Sequence, residues 1–300
     1  MDEKVKQLLL KLLDKFVEVC EQNHLQYYLA GGSVIGVVRH KGFIPWDDDI
    51  DVHMPRADYE KLQLLPDSVW GDDMRLATWR KTPNYTYDFL KLELLNTTVI
   101  ERLHPDYVGG IFFDVFPLDF MSKDSKEIES FEREYKKIMR RYIRCTIAND
   151  NECASLWNLC CLKIDRLFYN HRSWMEKWER LAMSFGENQN KVIHSHSYFY
   201  YKGGMNAEWF GKGRLMEFEG RKVLVPADYD AYLRHVFGDY MKLPPLDKRV
   251  GHSFMFVDYE KRISEKEAKA VFRNLHKQLA YKFSLKREIK YVLRQIHLLK

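Results

Sequence analysis

The chain has 300 residues, 46% hydrophobic and 14% aromatic, with a net charge of +5, which is ample apolar material for one large domain or two intimately joined ones. Its richest apolar stretch, Leu8-Leu9-Leu10-Lys11-Leu12-Leu13, is short and broken by a lysine, which argues against a membrane span. Asp2 and Glu3 precede an amphipathic segment without a small-residue cleavage site, so a secretory leader is not expected and a cytoplasmic location is.

In chain order, residues 2–23 read as a helix and 27–30 as a short strand that runs through Gly31-Gly32-Ser33 into a helix over 33–40. Residues 49–53 read as an acidic strand and 56–65 as a helix opened by Pro55. Strand-like patterns follow at 74–79, 86–95 and 111–116. From 123 to 185 Glu, Lys and Arg interleave with apolar residues, a helical insertion expected to pack against the sheet. The expected fold class is therefore α+β, one mixed sheet flanked by helices, with a main domain over 1–260 and a basic helical tail over 261–300.

The chemistry concentrates in Trp46-Asp47-Asp48-Asp49-Ile50-Asp51-Val52. If this run is a strand, Asp47, Asp49 and Asp51 share one face and Asp48, Ile50 and Val52 the other. Like charges so close together are costly unless a cation neutralises them, and a hard ion such as Mg²⁺ or Mn²⁺ suits oxygen ligands. An acidic surface turn is the plainer alternative. Upstream, Gly31, Gly32 and Ser33 let backbone approach a ligand and place amides at a helix start, where phosphate binds well. A phosphate cradle beside an acidic metal site is the division of labour that phosphoryl transfer needs.

The run from Tyr28 to Asp58, YLAGGSVIGVVRHKGFIPWDDDIDVHMPRAD, closely resembles the LicD family of phosphocholine transferases, relatives of the fukutin-type phosphotransferases and of the wider nucleotidyltransferase superfamily. Residues 110–119, GIFFDVFPLD, resemble the family's second acidic strand, and FGDYMKLPP at 237–245 with His252 resembles its C-terminal signature. The resemblance implies a nucleotidyltransferase-like core in which Gly32 and Ser33 form the turn, Asp49 and Asp51 the metal-binding pair, with Asp47 a further candidate, and Asp114 a third carboxylate on a neighbouring strand. A lone Asp within the apolar run 111–115 is costly to bury without compensation, which supports Asp114 independently. Asp119, after Pro117, is the second choice and is expected in an exit turn. Glu93, alternating with leucines, reads as the wet face of a strand.

The activity so implied is transfer of phosphocholine, or a related phospho-alcohol, from CDP-choline or another CDP-alcohol to a hydroxyl of a glycan or lipid-linked glycan, whether lipopolysaccharide, teichoic acid or capsule, with CMP released. Attachment of a nucleotidyl group with release of pyrophosphate is the alternative, and a non-enzymatic scaffold is a third reading. Arg39, His40 and Lys41 are either a diphosphate-neutralising cluster or a solvated turn. A choline group would require an aromatic or acidic enclosure, for which Trp46, Tyr85, Tyr87 and the run Tyr198 to Tyr201 are candidates; His252 is either a substrate contact or a structural histidine.

Five cysteines without a CxxC pair read as reduced thiols, although Cys153, Cys160 and Cys161 would share a helix face and could hold a structural zinc. Residues 261–300 hold twelve Lys or Arg against three Asp or Glu, a local +9 that leaves −4 for the remainder. Such an amphipathic tail either packs on the domain or contacts an anionic membrane surface. Without a recognised nucleic-acid module, no nucleic-acid partner is expected.

Overall fold

A computed structural model describes residues 2–101, 107–146, 164, 171–186, 192–195, 204–249, 251 and 254–271. Helix α1, Glu3–Gln22, starts at Asp2, whose carboxylate accepts the Lys4 amide, and buries one stripe that includes Leu9, Leu12, Leu13, Phe16 and Val19. A side-chain acceptor at that position satisfies an amide that the first turn leaves without an intrahelical partner. Among the described residues no helix is long and apolar enough to cross a membrane.

The strands that carry the site are β1 (Tyr28–Leu29), β2 (Asp51–Pro55), β3 (Met74–Ala77), β4 (Leu90–Leu94), β5 (Thr98–Ile100) and β6 (Phe112–Met121). All of these except β5 form a mixed sheet ordered β1-β2-β6-β4-β3, in which β2 and β6 are parallel and the other pairs antiparallel. The mixed α and β architecture expected from the sequence is the one observed. Successive side chains alternate faces, so Ile50, Val52, Met54, Phe113, Val115, Leu90 and Leu92 join the α1 stripe in the main core, with Phe16 edge-on to Phe113 at 5.1 Å. The opposite face carries Asp51, His53, Asp114, Phe116, Lys91 and Glu93.

Beyond the expected strands, β7 (Val192–Ser195) pairs with the second half of β6, and β8 (Met205–Asn206) pairs with β7. This explains how Pro117 sits inside a central strand: β4 pairs residues 112–115 and β7 pairs 118–121, so proline, which has no amide to give, occupies the hand-over between them. Strands β9 (Arg214–Phe218) and β10 (Arg221–Val225) form a hairpin whose two turn residues, Glu219 and Gly220, both have positive φ, 49° and 75°. That is the turn type whose twist matches the strands. The Glu219 carboxylate accepts the Phe43 amide at 3.1 Å, which fixes the loop leading to the acidic run. Strand β11 (Phe256–Asp258) pairs with β5 outside the main sheet.

Helix α2 (Gly31–Ile35) continues as a π-helical turn over Gly36–His40, and α3 (Arg56–Leu64) follows β2 directly. Within the helical insertion, α4 (Ser125–Thr146) and α5 (His171–Ala182) pack Phe131, Tyr135, Trp174 and Trp178 into a second core with Tyr85, Phe89 and Phe116. Residues 272–300, most of the basic tail, lie outside the described residues, as do Cys153, Cys160 and Cys161; Cys20 is a buried thiol whose pKa burial pushes up.

Asp88, buried beside this second core, has its pKa pushed up to about 7 by burial, despite a hydrogen bond from Trp178 and the charge of Arg56. The folded chain therefore holds a proton there that the unfolded chain releases near pH 4. The stability linked to that proton is complete below about pH 4 and falls as pH rises toward 7. Asp88→Asn is expected to flatten this fall, read as urea midpoints of wild type and variant at pH 4.5 and pH 7.5. Parallel shifts of both proteins with pH would refute it.

Candidate active site

Gly31 opens α2 with φ +52°, a conformation that side-chain-bearing residues rarely adopt. A Cβ at Gly31 would stand 3.0 Å from Asp51 Oδ2, and one at Gly32 would stand 2.7 Å from Asp47 Oδ2. The two glycines thus make room for two carboxylates on one turn. Asp51, 8% exposed, is held by its backbone: its amide donates to Ser33 Oγ at 3.0 Å, and its carbonyl accepts from the Ala30 amide at 2.8 Å. The Gly31 amide donates to the hydroxyl of Tyr232 at 2.9 Å, from α6 (Tyr229–Phe237). Of the expected phosphate-binding amides, that of Gly31 is therefore already engaged inside the protein.

The acidic run is a strand only from Asp51 onward. A turn at Trp46, closed by the Asp47 amide on the Ile44 carbonyl at 2.9 Å, precedes it, and β1 offers only Tyr28 and Leu29 for pairing. Asp47, Asp48 and Asp49 accordingly depart from strict alternation and are half-buried in a loop. Asp47 meets Gly32; Asp48 meets Gly251, whose Cβ would lie 2.9 Å from Asp48 Oδ2; Asp48 and Asp49 together line a cavity of about 300 Å³.

Asp114 lies directly across from Asp51 in the parallel β2–β6 register, and Lys91 lies opposite Asp114 in the antiparallel β4–β6 register. The Lys91 ammonium, 1% exposed, donates to Asp114 Oδ1 at 3.0 Å and is 3.2 Å from Glu101 Oε2. It also stands over the rings of Phe112 and Tyr87, 3.2 and 4.4 Å from their centroids. The sequence reading passed over Lys91; its signal was a lysine in an apolar alternating strand, the same signal that singled out Asp114. Among the described residues no three His, Cys, Asp or Glu side chains are close enough to hold a metal ion by themselves. The donor set fits Mg²⁺ in a different manner, since this ion is commonly held by one or two carboxylates together with substrate phosphates.

The basic cluster points inward at two of its three positions. Arg39 donates to His40 Nε2 at 2.9 Å and to the Tyr240 carbonyl at 2.7 Å, while Lys41 is exposed, with φ 55°. Burial, then the charge of Arg249, lowers the Arg39 pKa; burial, then Arg39, lowers that of His40. Arg249 stands 5.1 Å over Trp46. The C-terminal signature, whose chemistry was not evident in sequence, therefore docks on the two upstream motifs: Tyr240 on Arg39, Arg249 on Trp46 and Gly251 on Asp48.

Other expectations are revised. Glu93 is not on a wet face: it is fully buried, paired with Arg75 and accepting the Gly110 amide at 2.9 Å. Strand β4 is central and covered on both sides, so its alternation marks polar pairing rather than solvent. Asp119 lies inside β6 rather than in an exit turn, 3% exposed, and its two oxygens accept from Arg56 Nε and NH2 at 2.8 and 2.6 Å. Tyr85 is core, its hydroxyl donating to the Phe89 carbonyl. Tyr87 closes over Lys91 and donates to Glu101. His53 is fully buried against Phe116, Phe210 and Tyr232, with its pKa pushed down to about 3 by burial. His252 and Tyr198 to Tyr201 lie outside the described residues.

Two carboxylates thus face the glycine turn, and a third, met by Lys91, stands on the adjoining strand of the mixed sheet. Residues 24–143 match the model of the LicD/FKTN/FKRP nucleotidyltransferase domain. The chain is 29% identical over 254 residues to the lipopolysaccharide cholinephosphotransferase LicD of Haemophilus influenzae, covering 81% of this chain and 92% of that one. It is 36% identical over 67 residues to the ribitol 5-phosphate transferases FKRP of mouse and human, a segment that is 22% of this chain and 14% of theirs.

Proposed function

We propose that this protein transfers a phospho-alcohol, phosphocholine in the first instance, from a CDP-alcohol to a hydroxyl of a lipopolysaccharide-like glycan and releases CMP. The observation that carries this reading is the convergence of Asp47 and Asp51 on the Gly31–Gly32 turn, with Asp114 one strand away. The similarity to a cholinephosphotransferase along most of both chains supports the choice of transferred group.

In this reading Asp49 and Asp51 would hold Mg²⁺ or Mn²⁺, the donor diphosphate supplying the remaining oxygen ligands, and Asp47 stands beside them at the Gly32 turn. The ion, when bound, withdraws charge from the phosphate oxygens and stabilises the departing CMP. Ser33 and the Gly32 amide bind phosphate oxygens at the start of α2, where the first-turn amides have no intrahelical acceptor. Arg39, at the end of the π-helical turn that continues α2, sets a positive potential toward the leaving side, and His40 accepts its Nε hydrogen bond and holds it in place. Asp114 takes the proton of the attacking hydroxyl, and Lys91 fixes the carboxylate in place for it.

The test is incubation of the purified protein with Mg²⁺, a lipopolysaccharide or teichoic acid acceptor, and CDP-choline, CDP-ribitol or CDP-glycerol in turn. CMP release dependent on acceptor and divalent ion is the expected result. Pyrophosphate release from a nucleoside triphosphate, with no CMP from any CDP-alcohol, would overturn the proposal in favour of nucleotidyl transfer.

A further inference from the structure

The cavity of about 300 Å³ beside the acidic loop has an unusual wall chemistry. Asp48 and Asp49 contribute carboxylates, Phe112, Phe254 and Tyr259 contribute rings, and α1 contributes aliphatic side chains including Leu9. Phe112 and Phe254 stand edge to face, 6.1 Å between centroids at 77°. Phe254 and Tyr259 are half-buried, packed against the main core while lining the cavity. The Tyr259 pKa is raised by burial and then by the charges of Asp2 and Asp48, with Lys4 opposing them. None of these three rings was among the aromatic residues singled out from sequence.

We propose that this cavity receives the quaternary ammonium of a choline-bearing donor, with Phe254 and Tyr259 as its ring walls and Asp48 as its countercharge. The inference rests on the phospho-alcohol reading given above and specifies the alcohol. Asp49 belongs both to the cavity wall and to the acidic run at the glycine turn, and in phosphocholine the nitrogen follows the ester oxygen by two methylenes. A donor phosphate held at the acidic run would have this adjoining cavity within reach of its head group. A neutral polyol such as ribitol or glycerol would bring hydroxyls that each need a hydrogen-bond partner when buried, and the walls are mostly hydrocarbon. A trimethylammonium group needs no hydrogen bonds and is attracted by ring faces and carboxylates alike. Phe112 already carries the Lys91 ammonium at 3.2 Å, so the attraction for a second cation falls mainly on Phe254 and Tyr259.

The experiment measures binding of phosphocholine and of its uncharged isostere, 3,3-dimethylbutyl phosphate, to the full-length protein by calorimetry with Mg²⁺ present. Wild type is expected to prefer phosphocholine by about tenfold, the size that a desolvated cation on aromatic walls supplies. Phe254→Leu and Tyr259→Leu, made separately in case one fails to fold, and Asp48→Asn are each expected to bring that ratio toward one. Equal binding of the two phosphates by wild type would overturn the proposal, as would a ratio that both ring variants leave unchanged. CMP release from CDP-choline is measured alongside: a charge preference that maps to these residues without CMP release would retain the cavity and refute the reaction.

Discussion

Asp51→Asn is expected to give a folded protein whose CMP release falls by about a thousandfold or more, the loss that follows when several kcal/mol of metal-mediated charge stabilisation are removed. The fold should persist because what anchors residue 51 is its main chain. Its amide donates to Ser33 Oγ and its carbonyl accepts from Ala30, bonds that an asparagine keeps. The side chain changes in charge but scarcely in shape, so the close approach of Oδ2 to Gly31 is preserved. The check is steady-state CMP release at saturating Mg²⁺ together with the thermal midpoint. Asp49→Asn is expected to behave in the same way. Activity within tenfold of wild type, in a variant of normal midpoint, would remove the acidic pair from the mechanism.

Lys91→Met is the change with the largest expected effect on stability. The ammonium is buried between Asp114 and Glu101, and removing one partner of a buried ion pair leaves the other charge uncompensated, a loss of about 3–5 kcal/mol. The two carboxylates retain 17% and 23% side-chain exposure, which allows partial rehydration and places the expected value near the lower end. Methionine keeps much of the contact with Phe112 and Tyr87, so the loss is electrostatic rather than a cavity effect. Adding Asp114→Asn should recover part of the loss, because the pair is then removed on both sides. Urea unfolding of the two single variants and the double variant measures this coupling directly. Strictly additive losses would show that Lys91 and Asp114 do not act as a unit.

The long amphipathic elements and the two acidic strands were legible along the chain, because each is written in local periodicity. α1 reveals itself by a 3.6-residue apolar stripe, and Asp114 by a charge in an apolar run. Glu93 shows the limit of that logic. Alternation says only that a strand has two unlike faces, and whether the polar face meets water or a buried arginine depends on what covers the sheet. Asp119 shows it again: Pro117 suggests a strand end until β7 is known to take over pairing from β4.

By itself the sequence determined the α+β class, the position of the glycine turn and the identity of the acids, since these follow from side-chain period, glycine's tolerance of positive φ and the cost of adjacent charges. Only the tertiary structure decided which carboxylate meets which glycine, that Lys91 is the partner of Asp114, that Tyr232 occupies the Gly31 amide, and that Phe254 and Tyr259 close a cavity on Asp48. Those are contacts between residues tens to hundreds of positions apart. Their geometry is fixed by strand register and by the docking of the C-terminal segment on the acidic loop, and no local pattern encodes either.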